Sequence, residues 1–117
     1  MPESGHTWRR EFKAHPVEAD SVRRWVACRL EHPDAPQVAN ELFVSVLSTG
    51  SPVVEMTLST AGSRARMTAA GSVEMSALQS YGPGFRIISG LSALSGVNTD
   101  GQGLWAQLTS KTQGTEQ

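Results

Sequence analysis

The fold of this chain is indicated most clearly by residues 52–70, which read PVVEMTLSTAGSRARMTAA. Apolar and polar side chains alternate from 52 to 60 and again from 64 to 70, as they do in strands that bury one face. Residues 61–63, Ala-Gly-Ser, form a short turn between the two runs. One face carries the apolar side chains of Val54, Met56, Leu58, Ala65, Met67 and Ala69. The stretch therefore predicts a β-hairpin.

A strand and a helix are expected near the start of the chain. Residues 7–14 have a weak strand pattern that His15-Pro16 ends, because proline lacks a ladder N–H and restricts the residue before it. From Val17 the period changes, and an apolar stripe recurs at every fourth position, at Val22, Val26 and Leu30. This spacing predicts a helix of about four turns that is broken at residues 32–34, His-Pro-Asp.

A second helix follows directly. Asp34 is its expected N-cap, Pro36 lies in its first turn, and Gly50 stands where glycine commonly ends a helix. Its apolar stripe consists of Val38, Leu42 and Val46, widened by Phe43 and Leu47.

The chain after the hairpin alternates between a connection, a helix and a second hairpin. Residues 72–80 connect the two halves, with one helical turn around Met75 and Leu78 as an alternative to a plain loop. A third helix is predicted from Phe85 to Leu94, with Gly96 as its C-cap. Residues 97–99 and 104–109 flank the turn sequence Asp-Gly-Gln-Gly and predict a hairpin. The order β-α-α-β-β-α-β-β implies a two-layer α/β sandwich, a mixed or antiparallel sheet with helices on one face.

The length, the net charge and the cysteine count exclude several classes of protein and binding site. With 117 residues we expect one domain at 7–109, with polar, flexible tails at 1–6 and 110–117. The net charge of -1 argues against a nucleic-acid binder that works by bulk electrostatics. The single Cys28 excludes an internal disulfide and a multi-thiolate zinc site.

Targeting and metal signals are weak in the sequence. The first six residues lack the apolar core of a signal peptide, and no run approaches the length of a membrane helix, so we expect a cytoplasmic protein that contacts no membrane. His6, His15 and His32 are scattered without ligand spacing, and no metal site is expected.

Two segments are candidates for binding. Gly82-Pro83-Gly84 precedes the third helix and could present backbone N–H groups to a phosphate or another small ligand, although a simple tight turn explains the glycines equally well. Arg23, Arg24 and Trp25 on the first helix are residue types common at protein interfaces, and an ordinary solvated surface is the alternative.

Taken in order, several segments resemble the small actinobacterial anti-sigma-factor serine kinases of the GHKL (histidine-kinase-like) ATPase superfamily. The resemblance covers about residues 7–109 and is carried by residues 8–12 (WRREF), 15–16 (HP), 22–26 (VRRWV), 40–45 (NELFVS) through Gly50, 82–88 (GPGFRII) and 103–108 (GLWAQL). It implies a GHKL-type sandwich and a nucleotide site between the second helix and the glycine-rich turn.

The nucleotide-site positions that this resemblance implies are Glu41, Ser45, Ala69, Gly71, Gly82 and Gly84. Glu41 matches the family's general base, but Ser45 replaces the asparagine that holds magnesium, and Ala69 replaces the aspartate that anchors adenine. Only ten residues separate Gly71 from Gly82, where the family usually has a longer ATP lid. Compared with the family, the chain would therefore lack the magnesium ligand, the adenine anchor and part of the ATP lid.

From the resemblance and these departures we expect a pseudokinase with no catalytic residue, no metal and no cofactor. It would act as a non-catalytic regulatory protein through protein–protein binding, in transcriptional or sigma-factor control. Its partner would be a sigma factor, an anti-sigma antagonist or a transcriptional regulator, with a homodimer as a further expectation. The alternative is a weak ATP-dependent serine kinase, in which Glu41 is the base and Ser45 or water holds magnesium with ATP.

Overall fold

The computed structural model describes residues 5–76 and 82–109, which form an α/β domain around one sheet. Five strands make up this sheet: β1 (Gly5–Lys13), β2 (Val53–Ala61), β3 (Arg64–Ala70), β4 (Leu94–Val97) and β5 (Gly103–Thr109). Their spatial order is β1-β2-β3-β5-β4, and every neighbouring pair is antiparallel. Of the two sheet types expected, the structure has the antiparallel one.

Three helices accompany the sheet in the described residues: α1 (Ala19–Ala27), α2 (Ala35–Leu47) and α3 (Pro83–Leu91). A short 3₁₀ turn, Pro16–Glu18, leads into α1. The start of α2 is as predicted, with Asp34 at the N-cap position and Pro36 in the first turn. Gly50 follows α2 with a positive φ of 87°, which confirms its role at the end of this helix. None of the described helices is long and apolar enough to cross a membrane.

The predicted hairpin at residues 52–70 is confirmed and forms the centre of the sheet. Its apolar face is buried, and the register continues that face into the neighbouring strands: Leu58 lies opposite Met67, which lies opposite Ala106. At the edge of the sheet Phe12 of β1 pairs with Val54. The other face of the same strands is exposed or half-buried, so the helices cover one side of the sheet only.

Helix α2 lies in the middle of the helical layer. It packs against α1 and α3 on its flanks and against β2, β3 and β5 beneath it. Its fully buried residues include the predicted stripe and the flanking phenylalanine: Val38, Leu42, Phe43 and Val46. The core therefore lies between this helix and the hairpin.

Several predicted boundaries were wrong. Helix α1 ends at Ala27 and is shorter than four turns; Leu30 lies beyond it, partly buried against the core. Helix α3 ends at Leu91, because Ser92 has extended backbone angles (φ -115°, ψ 149°) and Leu94–Val97 pairs with β5. Gly96 is thus in a strand and does not cap a helix.

Smaller differences occur at three other places. The strand predicted at 97–99 lies at 94–97, and β1 begins at Gly5, inside the predicted tail. Residues 72–76 contain no helical turn, while Leu78, the second residue named for that turn, lies outside the described residues.

Candidate functional site

A cavity of about 290 Å³ lies between α2 and the start of α3. We call it the α2 cavity; its lining consists of Glu41, Val44, Ser45, Ser48, Gly82, Pro83 and Gly84. The α2 residues in this set recur at intervals of three and four, which places them on one side of the helix. Four of the six positions implied by the resemblance (Glu41, Ser45, Gly82 and Gly84) are therefore brought together.

Glu41 is the only carboxylate among the described residues that line the α2 cavity, and two amide side chains bond to it. Gln37 Nε2 donates to Glu41 Oε2 at 2.9 Å, and Asn40 Nδ2 donates to the same oxygen at 3.4 Å. Asn40 in turn accepts a hydrogen bond from Arg23 at 2.8 Å. The carboxylate is thus connected to α1 through a chain of hydrogen bonds.

The backbone of the glycine turn, Gly82–Gly84, packs directly on these α2 side chains. A Cβ added to Gly84 would lie 3.0 Å from Ser45 Oγ and 3.3 Å from Glu41 Oε1. Glycine is therefore the residue that allows so close an approach at this position. The turn leads into α3 with Phe85 and Arg86 donating to the Gly82 carbonyl at 3.0 and 3.3 Å.

The remaining two positions, Ala69 and Gly71, do not line the α2 cavity. Ala69 is fully buried on β3, opposite Met56 on one side and Leu104 on the other. Gly71 follows the strand and has no room for a side chain, since a Cβ there would lie 2.9 Å from both Val46 Cγ1 and Ser51 Oγ. The end of β3 is therefore closely packed.

Two buried polar residues at the ends of the core were missed by sequence reasoning. Ser51 donates to the Val53 carbonyl at 2.7 Å and accepts from the Ser72 N–H at 3.0 Å. His32 bonds through Nε2 to the Thr109 carbonyl at 3.1 Å and accepts from the Asp34 N–H through Nδ1. A histidine before proline marked a turn in the sequence, but its bond to β5 depends on tertiary packing.

The three residues expected to contact a partner are not all at the surface. Arg23 and Arg24 pair with Asp20 at 3.4 and 3.0 Å. Trp25 is a core residue, 5% exposed, with its ring edge-on to Phe12 at 5.9 Å between centroids. Of this set only Arg24 is fully at the surface, since Arg23 is half-buried and also donates to Asn40 at 2.8 Å.

A search for metal ligands and a comparison with known proteins do not identify a ligand for this site. In residues 5–76 and 82–109 no three His, Cys, Asp or Glu side chains are placed to hold a metal ion. Comparison with known proteins finds no family model and no curated protein that matches the chain.

Proposed function

We propose that this chain is a non-catalytic regulatory protein that acts by binding another protein. In this proposal its fold is a GHKL-type two-layer sandwich whose nucleotide site has lost ATP and Mg²⁺ binding. The antiparallel sheet with helices on one face agrees with that architecture.

The observation that carries the proposal is the chemistry of the α2 cavity. Ser45 supplies a single hydroxyl where the resemblance implies a magnesium-binding amide, and Gly84 packs against Ser45 and Glu41. Mg²⁺ requires near-octahedral oxygen ligands at about 2.0–2.1 Å and usually keeps several waters. A cavity of about 290 Å³ is at the lower limit of small-molecule sites, about 300–1,000 Å³. The cavity is therefore small for a nucleotide, and its ligands for Mg²⁺ are poor.

The position that the resemblance implies for the adenine contact also argues against ATP binding. Ala69 has no hydrogen-bonding side chain and is enclosed by apolar core residues. If a metal contact and an adenine contact each contribute about 1.5–3 kcal/mol, the loss of both lowers ATP affinity by several orders of magnitude. Phosphoryl transfer relies on metal and positioning, so its rate would fall further.

The partner class in this proposal comes from the resemblance alone: a sigma factor, an anti-sigma antagonist or a transcriptional regulator, in the cytoplasm. A homodimer belongs to the same expectation, and sedimentation analysis would measure it. The exposed Arg24 and the half-buried Arg23 of α1 provide a surface for such binding.

The second candidate is a weak ATP-dependent serine kinase. It is favoured by one observation, the approach of the Glu41 carboxylate to the glycine turn at the start of a helix, where phosphate groups commonly bind. Glu41 would act as the base in that case, and Ser45 or water would hold the metal.

Titration calorimetry with ATP and Mg²⁺ separates the two. We expect no binding tighter than about 100 µM, which corresponds to about -5.5 kcal/mol. The Ser45→Asn variant, which restores an amide at the metal position, should still bind more weakly than that limit, because Ala69 leaves the adenine contact missing. A Mg²⁺-dependent Kd below that limit in the unmodified protein would support the kinase. Inorganic phosphate alone is the control for a phosphate site at the glycine turn.

A further inference from the structure

A second cavity, of about 310 Å³, lies between α1 and β1, and arginines dominate its lining. We call it the arginine hollow; it is formed by Arg10, Ser21, Arg24, Trp25, Cys28 and Arg29. Arg10 comes from the helix-facing side of β1, and the other residues come from α1 and the turn that follows it. The packing of α1 on β1 thus gathers three guanidinium groups around one concave surface.

Two of these guanidinium groups are held in place by aromatic rings. Arg10 Cζ lies 4.8 Å from the centroid of the Phe12 ring, and Arg29 Cζ lies 5.3 Å from that of Trp25. Arg29 also donates one N–H to the Trp25 carbonyl at 2.8 Å. Phe12 and Trp25 are themselves core residues in edge-to-face contact. Because these contacts favour particular positions of the two guanidinium groups, an anion would bind with less loss of side-chain entropy than at an arginine without such contacts.

The charge around the hollow is strongly one-sided. None of the described residues that line it is acidic, and Asp20, the acidic residue of α1, pairs with Arg24 and Arg23. Glu11 of β1 points to the other face of the sheet, since it follows Arg10 by one position. Three arginines therefore line the hollow, and one of them, Arg24, pairs with Asp20 at 3.0 Å, in a chain whose formal net charge is -1.

We propose that the arginine hollow is the docking site for an acidic segment of a partner protein, with Asp or Glu carboxylates received by Arg10, Arg24 and Arg29. This inference rests on the proposed function, a protein that acts by binding another, and gives the chemistry of that partner. Arginine forks match carboxylates in a bidentate geometry, and the Ser21 hydroxyl can donate a further bond. Three arginines line this hollow, whereas a nucleic-acid backbone needs a longer basic track.

The only cysteine provides a direct readout. Cys28 is exposed and lines the hollow, so a thiol reagent modifies the chain at this one position. We would compare an aromatic disulfide reagent that carries carboxylates with a neutral pyridyl disulfide. The anionic reagent should have the higher relative rate at low salt, and its advantage should decline as salt screens the arginines. A relative rate that does not depend on salt would argue against an anion-attracting hollow.

Binding is then measured with an octaglutamate peptide, by protection of Cys28 from the neutral reagent. The Arg24→Gln/Arg29→Gln variant should bind at least about tenfold more weakly, because it loses two charge-assisted contacts. The matched control, Arg64→Gln/Arg86→Gln, removes the same charge outside the hollow and should bind as the unmodified chain does. Circular dichroism and thermal unfolding of both variants check that they fold.

The outcomes separate this inference from the proposed function. Failure of the peptide to protect Cys28 at millimolar concentration, or equal weakening in both variants, would overturn the acidic-segment site whatever the ATP titration gives. Stronger protection by a single-stranded oligonucleotide of equal charge would also overturn it, in favour of nucleic acid. Tight ATP binding together with peptide protection would remove the non-catalytic proposal and leave the docking site in place.

Discussion

Gly71 and Gly90 have opposite surroundings and should respond in opposite ways to a methyl group. A Cβ on Gly71 would contact Val46 and Ser51 at 2.9 Å, and Ser51 is fixed by its bonds to Val53 and Ser72. We expect Gly71→Ala to lower the free energy of unfolding by about 1–3 kcal/mol, the usual cost of overpacking. Gly90 lies in helix α3 with nothing within 4 Å of a Cβ.

The matched Gly90→Ala variant should therefore raise stability by about 0.5–1 kcal/mol, because alanine is the better helix former. Urea denaturation of both variants measures the difference. Equal stabilities would mean that the end of β3 relaxes around the added methyl group. That result would also weaken the conclusion that the end of β3, next to Ala69, is closely packed.

At the level of elements, the sequence predicted best where local pattern and tertiary environment agree. The β2–β3 hairpin has strict alternation and a short glycine turn, and its register places every predicted apolar residue inward. The helix predicted from Phe85 to Leu94 was too long at its end, because Leu91 and Leu94 continue the helical spacing. The residues from Leu94 onward instead gain ladder hydrogen bonds with β5, a tertiary contact that local pattern does not contain.

The two cavities also differ in how much of each could be predicted from local sequence pattern. Glu41 and Ser45 lie one turn apart on α2, so their common face followed from helical spacing, and their meeting with Gly82 and Gly84 was implied only by the resemblance. The arginine hollow joins Arg10 of β1 to Arg29 beyond α1. Arg10 and Arg29 come together only when α1 packs on the sheet, and the burial of Trp25 follows from the same contact.

The edge strand β4 is covered at Gly96 by the side chain of Trp105 from the neighbouring strand β5. Gly96 lies under the indole of Trp105, whose Nε1 would be 3.0 Å from an added Cβ, and Arg66 stacks on the same ring at 4.1 Å. An aromatic side chain across from an edge glycine covers backbone that would otherwise be open to water. We expect Trp105→Ala to increase amide hydrogen exchange in β4 at least about tenfold, through local opening of this edge.

Leu94→Ala is the control for this effect, since Leu94 is in the same strand and its side chain is 57% exposed. Exchange in β4 should change little in that variant. Faster exchange of equal size throughout the sheet in Trp105→Ala would indicate global destabilisation, and the specific role of the indole at Gly96 would then be wrong.

The whole molecule should unfold as one unit, because α2 contacts both flanking helices and three strands. Leu42 is fully buried in this helix, so Leu42→Ala should lower the free energy of unfolding by about 2–5 kcal/mol. That is a large share of the about 5–15 kcal/mol that stabilises a typical domain. Val44, two residues further along and 41% exposed, provides the matched control, and Val44→Ala should cost less than about 1 kcal/mol.

Two optical signals test the cooperativity in the same experiment. Trp8, Trp25 and Trp105 lie on β1, α1 and β5, so fluorescence reports on both layers of the fold, while far-ultraviolet circular dichroism follows the helices. In urea the two signals should give coincident transitions for the unmodified chain and for both variants, as in two-state domains of this size. Separate transitions would mean that the sheet and the helical layer unfold independently. The arginine hollow, which exists only where α1 packs on β1, would then open before the rest of the protein unfolds.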